Sequence, residues 1–127
     1  MLCAAKARKS PACVLVVEDE VLIRALIADE LRSEGFSVIE AATADEALSY
    51  FQAGVQVDLV LSDIATPGVL NGVDLIQRLR AEAPNVPTVL TSGTSPGAHA
   101  ADAFLSKPYD VRQAVVLIAT LLRKATR

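Results

Sequence analysis

Short, mainly apolar runs recur along the chain, separated by segments in which apolar residues are spaced three or four positions apart. The runs at residues 12–17, 57–62 and 86–91 are rich in Val and Leu. Such runs are too short for free-standing helices, and their composition predicts strands buried on both faces of a sheet. Two further strands are predicted at residues 36–40 and 102–106.

The segments between the strands predict amphipathic helices. Their expected ranges are 21–35, 43–54, 75–83 and 110–122, and the third is preceded by a predicted loop with Pro67, Gly68 and Gly72. Thr43 and Glu46 form a capping-box pattern at the start of the second helix. Asp110 is expected to cap the last helix together with Gln113. In the first helix, the apolar residues Ile23, Leu26, Ile27 and Leu31 follow helical spacing, and Gly35 is a natural stop. Because strands and helices alternate, we expect one α/β domain, a doubly wound five-stranded parallel sheet with helices on both faces.

Composition narrows the class of protein without changing this picture. Hydrophobic residues make up 52% of the 127 residues and aromatic residues only 4%. The core must therefore consist of Val, Leu, Ile and Ala, as in parallel sheets covered by helices. The net charge of −3 gives no general reason to expect binding to nucleic acid or to an anionic membrane. No segment approaches the roughly 18 continuous apolar residues of a membrane span.

The ends of the chain and its two cysteines bear on domain limits and compartment. We expect residues 1–11 to form a flexible tail, which lacks the apolar core of a signal peptide, and residues 12–125 to form the domain. Cys3 and Cys13 have neither the spacing of a zinc site nor the number needed for a disulfide framework. Cys13 is expected to be a small buried hydrophobe. These features favour a cytoplasmic protein with reduced thiols.

Polar residues collect at the carboxyl ends of the predicted strands. They are Glu18, Asp19 and Glu20 after the first strand, Asp63 after the third, Thr91 and Ser92 after the fourth, and Lys107 after the fifth. Considered alone, Asp63 would be interpreted as a turn cap, because Pro67 and Gly68 follow it. In a doubly wound sheet, however, the carboxyl ends of the strands lie at one edge, where ligands bind. Because the other polar residues are expected at the same edge, Asp63 is better interpreted as part of a binding site than as a turn cap.

These groups suit phosphoryl transfer to a carboxylate. Carboxylates without Cys or His favour a hard cation such as Mg²⁺, with Mn²⁺ as the alternative ion. The ion would offset the repulsion between a carboxylate and an incoming phosphoryl group, so that Asp63 could act as the nucleophile and form an aspartyl phosphate. Lys107 would supply a positive charge to the phosphoryl oxygens, and Ser92 a hydroxyl donor.

The order of these motifs resembles the receiver domain of two-component response regulators over residues 12–125. The residues that carry the resemblance are 16–20, 63–68 with 71–72, 90–93 and 104–109. The resemblance implies a flavodoxin-like sheet with strand order 2-1-3-4-5. It also implies that Asp63 accepts a phosphoryl group from a histidine kinase or a histidine phosphotransfer protein.

The same resemblance implies roles for individual residues. The metal ligands would be Glu18, Asp19, Asp63 and the backbone carbonyl of Ala65. Ser92, in preference to Thr91, would be the hydroxyl that turns toward the phosphate, and Phe104 the aromatic residue that moves behind it.

The Lys107-Pro108 bond would be cis and would aim the lysine into the site. Ala65 and Thr94 would tune the lifetime of the phosphate. Glu20 would be either an acid that supports the metal ligands from behind or a solvated first residue of the helix. His99 is expected to take no part in the chemistry.

One segment departs from the family pattern. Only residues 93–106 lie between Ser92 and Lys107, and they include Gly93, Pro96 and Gly97. That stretch cannot hold both the fifth strand and the full helix that usually precedes it, so we expect at most a short helical turn at residues 98–101. Because that helix belongs to the usual output and dimer surface of the family, the usual dimer is in doubt.

Taken together, the sequence predicts a stand-alone receiver without an output domain. It would catalyse only its own phosphorylation and dephosphorylation and would act on an unknown downstream protein by a conformational switch. A receiver cut from a longer hybrid kinase is a second interpretation. The alternatives from other classes are a phosphorylation-independent binding module on the same fold and an aspartyl-phosphate hydrolase. The hydrolase would need a second acid two residues after Asp63, where this chain has Ala65.

Overall fold

All five predicted strands form, within two residues of their expected limits. The computed structural model describes residues 11–94 and 100–125. Its strands are β1 (Cys13–Val17), β2 (Ser37–Ala41), β3 (Leu59–Asp63), β4 (Thr88–Ser92) and β5 (Ala103–Ser106). The helices of the described part are α1 (Val21–Ser33), α2 (Ala44–Gln52), α3 (Gly72–Glu82) and α4 (Val111–Ala125).

The strands form one parallel sheet in the order β2-β1-β3-β4-β5, as expected. Register places Val17 beside Ser62 and Asp63 beside Thr91. The strand order reverses between β1 and β3, which makes their carboxyl ends the switch point at which such sheets bind ligands. The fold therefore brings the polar residues after β1 and β3 together.

Alternate residues of the central strands pack into separate cores on the two faces of the sheet. On one face, Val14 and Val16 of β1 pack with residues of α1 and α4 such as Ile27 and Ile118. On the other face, Leu15 and Val17 pack with residues of α2 and α3 such as Leu48 and Leu75. This alternation explains why the strands read as continuous apolar runs in the sequence.

The buried face of α1 is narrower than its apolar pattern predicted. Ile27, Ala28 and Leu31 are buried, whereas Ile23 is half-buried and Leu26 is 61% exposed. Successive helix residues point about 100° apart, and Leu26 therefore lies to the side of the stripe formed by Ile27 and Leu31. Leu22 is also on this outer side, 79% exposed.

Helix starts differ from the predicted caps in detail. Thr43 accepts a hydrogen bond from the Glu46 amide, but the Glu46 carboxylate accepts from Ala42 instead of completing a capping box. The cap of α4 uses Asp110 as expected, with Arg112 as the amide donor in place of Gln113. The start of α3 was predicted too late. Asn71 and Asp74 form a full capping box there, so that Gly72 is the first helical residue instead of part of a loop.

Residues 93–102 connect β4 to β5. Their described members, 93–94 and 100–102, are not helical. His99 and the first half of the predicted turn at 98–101 lie outside the described residues, as do Cys3 and residues 1–10 of the predicted tail. Cys13, expected to be buried, is half-buried with a free thiol, and burial raises its pKa.

The far end of that connection is fixed by an ion pair. Asp102 accepts from Arg80 of α3 at 2.6 Å and from the amide of Thr88 at 2.8 Å. Arg80 also donates to the carbonyl of Ala100. Burial would raise the pKa of Asp102, but the hydrogen bonds from Arg80 and Thr88 and the arginine charge outweigh it and lower the pKa. Among the described helices, none has the length and apolar character that crossing a membrane requires.

Candidate functional site

Three carboxylates meet beyond the ends of β1 and β3. One oxygen from each of Glu18, Asp19 and Asp63 lies within 4.8 Å of the others. Glu18 and Asp63 are buried, 3% and 7% exposed, whereas Asp19 is open to solvent. The convergence follows from the sheet, because β1 and β3 are parallel neighbours that end side by side.

Lys107 is the cation that faces this acid cluster. Its Nζ lies 2.7 Å from Glu18 Oε1 and 3.0 Å from Asp63 Oδ2, and its backbone N–H donates to the carbonyl of Ser92. The peptide bond to Pro108 is cis, as expected. Burial would lower the pKa of Lys107, but the hydrogen bonds and charges of the two carboxylates raise it to about 12. The lysine is therefore a permanent positive charge at physiological pH.

One lysine does not balance the cluster. Burial raises the pKa of Glu18 above its usual range and the nearby Asp63 charge adds to this, despite hydrogen bonds from Lys107 and from the Glu20 amide. Three carboxylates against one ammonium leave a net negative charge in a partly buried place. An all-oxygen donor set with excess negative charge fits a divalent Mg²⁺ ion.

The backbone around Asp63 is fixed by its neighbours. Asp63 Oδ1 accepts from the amide of Ala65 at 3.3 Å, while the amide of Ile64 donates to the carbonyl of Thr91. The amide of Gly72 donates to the carbonyl of Ile64, and a Cβ at Gly72 would collide with the carbonyl of Asp63. A glycine is needed there so that α3 can start against the backbone of Asp63 and Ile64. From the sequence, Gly72 was expected in a loop, and its close approach to Asp63 was not predicted.

The other predicted site residues lie around the cluster. Ser92 and Thr91 are both buried, and Ser92 Oγ accepts from the amide of Thr94 at 3.1 Å. Phe104 is half-buried on β5, and Ala65 is exposed beside the Asp63 carboxylate. The choice of Ser92 over Thr91 and the roles of Phe104, Ala65 and Thr94 stay predictions. The same holds for Glu20, whose side chain is exposed.

Sequence reasoning missed Arg24. Its Nη1 donates to the carbonyl of Glu18 at 2.9 Å, and its Nε pairs with Glu40 of β2 at 3.2 Å. Arg32 shares the same Glu40 carboxylate. The guanidinium therefore ties the acid turn after β1 to the edge strand. The available signal was an arginine in the second turn of a helix that directly follows three acids.

An apolar groove of about 400 Å³ opens beside Lys107. It is lined mainly by Ile23 and Leu26 of α1 and by Pro108, Tyr109 and Val111 at the start of α4. Val21 and Leu22 of α1 are also exposed, 64% and 79%. A cluster of exposed apolar side chains beside a charged site is typical of a surface that another protein covers.

Comparison with known proteins identifies the family. Residues 14–119 match the model of the response regulator receiver domain. The chain belongs to this family. It is therefore a receiver domain of two-component systems, and the acid cluster of this receiver is compatible with Mg²⁺. The resemblance stated from the motifs and the flavodoxin-like strand order are both confirmed.

Similar proteins place receivers of this kind in different contexts. The alkaline phosphatase synthesis transcriptional regulatory protein SphR of Synechococcus elongatus is 37% identical, over 91% of this chain and 51% of its own length. The sensor kinase CckA of Brucella abortus is 36% identical, over 89% of this chain and 13% of its own. The chain thus spans about half or less of these relatives. The structure of response regulator TrrA from Thermotoga maritima in complex with Mg²⁺-BeF has a TM-score of 0.78 at 30% identity, covering 87% of this chain and 98% of that one.

Proposed function

We propose that this receiver accepts a phosphoryl group on Asp63 in a Mg²⁺-dependent reaction and signals by a conformational switch. The observation that carries the proposal is the convergence of the Glu18, Asp19 and Asp63 carboxylates within 4.8 Å, with Lys107 Nζ on two of them. A phosphorylation-independent binding module on the same fold would have no need of this arrangement. The acids cost stability through their mutual repulsion, and a bound ion is what would relieve it.

The chemistry follows from the charges around Asp63. A carboxylate oxygen of Asp63 forms the new bond to phosphorus, and the bond from phosphorus to the donor imidazole nitrogen breaks, so that the imidazole leaves with the electron pair and takes up a proton. Glu18, Asp19, Asp63 and the carbonyl of Ala65 would hold the ion, which would neutralise charge on the phosphoryl oxygens. After the transfer, the same residues remain in place around the aspartyl phosphate, where water can hydrolyse it. We therefore expect the domain to catalyse only its own phosphorylation and dephosphorylation.

Lys107 and Ser92 would respond to the new charge. With its pKa near 12, Lys107 stays protonated and can exchange its contact with Asp63 Oδ2 for a phosphoryl oxygen. The Ser92 hydroxyl, which accepts a hydrogen bond from the Thr94 amide, would turn toward the phosphoryl group. Phe104, on the strand next to β4, would repack behind it. Residue 65 is an alanine, which cannot supply the acid that a dedicated aspartyl-phosphate hydrolase needs at this position.

The phosphodonor would be a histidine kinase or a histidine phosphotransfer protein in the cytoplasm. Its histidine must reach Asp63, so the donor has to cover the surface next to Lys107. The exposed side chains of Leu22 and Leu26 and the adjoining groove offer an apolar face at that place. We therefore assign this face to the phosphodonor protein.

Intact-mass measurement tests the proposal. The wild type and Asp63→Asn are incubated with acetyl phosphate, with Mg²⁺ or with EDTA. The wild type should gain the mass of one phosphoryl group only with Mg²⁺, and the variant should gain none. The proposal is wrong if the wild type never gains mass, or if Asp63→Asn gains as much as the wild type does.

A further inference from the structure

The loop that follows β3 is held from outside by a carboxylate of α2. Oδ2 of Asp45 accepts from the backbone N–H of Val69 at 2.9 Å and of Leu70 at 3.4 Å. Asp45 and these amides are more than 20 residues apart in the chain. Two backbone donors on one charged acceptor form a directional contact that is stronger than neutral hydrogen bonds.

The loop is shaped to accept this contact. Gly68 has φ +110°, a backbone conformation that residues other than glycine rarely adopt. A Cβ at Gly68 would also collide with the Asp45 carboxylate. Thr66 adds a second tie, since its Oγ1 donates to the carbonyl of Leu70 and lies 3.4 Å from the donating amide of Ala44. Two adjacent residues in the first turn of α2, Ala44 and Asp45, therefore hold the loop by hydrogen bonds.

The inner end of the same loop lies on the phosphoacceptor. The amide of Ala65 donates to Asp63 Oδ1, and the amide of Thr66 donates to the carbonyl of Ile64. Gly72 closes the loop by donating to that same carbonyl. The Asp45 contact at Val69 therefore restrains a short closed segment that includes Ala65 and its carbonyl.

We propose that Asp45 is a positioning residue for the phosphoacceptor site. By fixing the loop it holds Ala65 against Asp63, and so sets the affinity for Mg²⁺ and the lifetime of the phosphorylated state. The inference rests on the proposed function, because it concerns the same metal and the same aspartate. The location of Asp45 in the first turn of α2 supports a charged side chain there, since the helix N-terminus stabilises a carboxylate.

Substitution of Asp45 separates positioning from general stability. Asp45→Ala removes the acceptor, Asp45→Asn keeps an oxygen acceptor without the charge, and Asp29→Ala removes an exposed helix carboxylate that is remote in sequence from the loop. Two quantities are measured by NMR, the hydrogen exchange of the Val69 amide without metal and the dissociation constant for Mg²⁺ alone from amide shifts. The decay of the acetyl phosphate product is followed by intact mass.

We expect Asp45→Ala to speed exchange of the Val69 amide and to weaken Mg²⁺ binding, each by roughly tenfold, the equivalent of one hydrogen bond to a charged group. Its phosphorylated form should also decay at a changed rate. Asp45→Asn should fall between the wild type and Asp45→Ala, and Asp29→Ala should match the wild type.

Two results would overturn the inference. One is unchanged exchange of the Val69 amide in Asp45→Ala. The other is faster exchange with wild-type affinity for Mg²⁺ and a wild-type phosphate lifetime, which would make the contact a structural tie only. Failure of the proposed function is distinguishable, because it would be seen in the wild type itself as absence of Mg²⁺ binding or of mass gain.

Discussion

Replacement of Lys107 by glutamine tests the electrostatic account of the site. Lys107 Nζ contacts two carboxylates, and the side chains of Lys107, Glu18 and Asp63 are 18%, 4% and 9% exposed. Hydrogen bonds to charged groups contribute about 1.5–3 kcal/mol each, and loss of one partner from a buried pair costs about 3–5 kcal/mol. Because the lysine is partly exposed and the carboxylates can take up protons, we expect the free energy of unfolding in EDTA to fall by about 2 kcal/mol.

Added Mg²⁺ and pH should each reverse part of that loss. The ion takes over the neutralising role of the lysine, so Mg²⁺ should stabilise Lys107→Gln more than it stabilises the wild type. The pKa of Glu18 is already raised by burial, and loss of the lysine would raise it further. A carboxyl group with a raised pKa in the folded state stabilises the fold as pH falls through that pKa. The variant should therefore gain stability relative to the wild type on acidification from neutral pH.

The assay is urea unfolding followed by circular dichroism, in EDTA and in Mg²⁺, with Lys124→Gln as the control. Lys124 is an exposed lysine of α4 outside the acid cluster, so its replacement should change the free energy of unfolding little. The wild type should also lose stability as pH rises through about 12, where folded Lys107 titrates above its ordinary 10.5. If Lys107→Gln is as stable as the wild type in EDTA, or if Mg²⁺ stabilises both proteins equally, the electrostatic reasoning is wrong.

Two further predictions concern residues around the site. Arg24→Gln should weaken Mg²⁺ binding several-fold in a metal titration, because the carbonyl of Glu18 loses the guanidinium that fixes the acid turn, and Arg24→Lys should restore part of it. Leu26→Glu should slow phosphotransfer from the cognate histidine protein by roughly tenfold, as for a central interface residue, while labelling by acetyl phosphate stays unchanged. Because Leu26 is 61% exposed, unfolding of that variant should match the wild type.

Contrary results would be clear in both cases. Wild-type affinity for Mg²⁺ in Arg24→Gln would mean that the acid turn holds its shape without the arginine. Equal slowing of both phosphodonors by Leu26→Glu would place its effect on the chemistry, and no slowing of either would remove the face of α1 from the donor interface.

The sheet and the acid cluster could be predicted from the sequence because both depend on periodic or terminal features. Continuous Val and Leu runs mark strands buried on both faces, and the parallel topology then brings their carboxyl ends together. Glu18, Asp63 and Lys107 were therefore expected at one place, and the structure puts Lys107 Nζ within hydrogen-bonding distance of both carboxylates.

The contacts that support the site could not be predicted in this way. Arg24 reaches a carbonyl, and Asp45 reaches two amides of a loop that lies far along the chain. Contacts from a side chain to a distant backbone group leave no periodicity in the sequence. The exposure of Leu26 could not be predicted for a related reason, because apolar spacing does not show how wide a face of the helix the sheet can cover. The start of α3 was missed because Gly72 was weighed as a turn residue and not as a point of close approach.

The acid cluster at the strand ends and the exposed side of α1 are adjacent but differ in how freely their residues can be substituted. This difference affects how such a protein can be re-engineered and how it can diverge. Glu18 and Asp63 of the acid cluster are buried and share contacts with Lys107, so most changes at these residues would be costly. Leu22 and Leu26 lie outside both cores, and exposed positions of this kind usually change stability by less than about 0.5 kcal/mol when substituted. If the face of α1 binds the phosphodonor as proposed, substitutions on that one helix would change the choice of donor and leave the adjacent acid cluster intact.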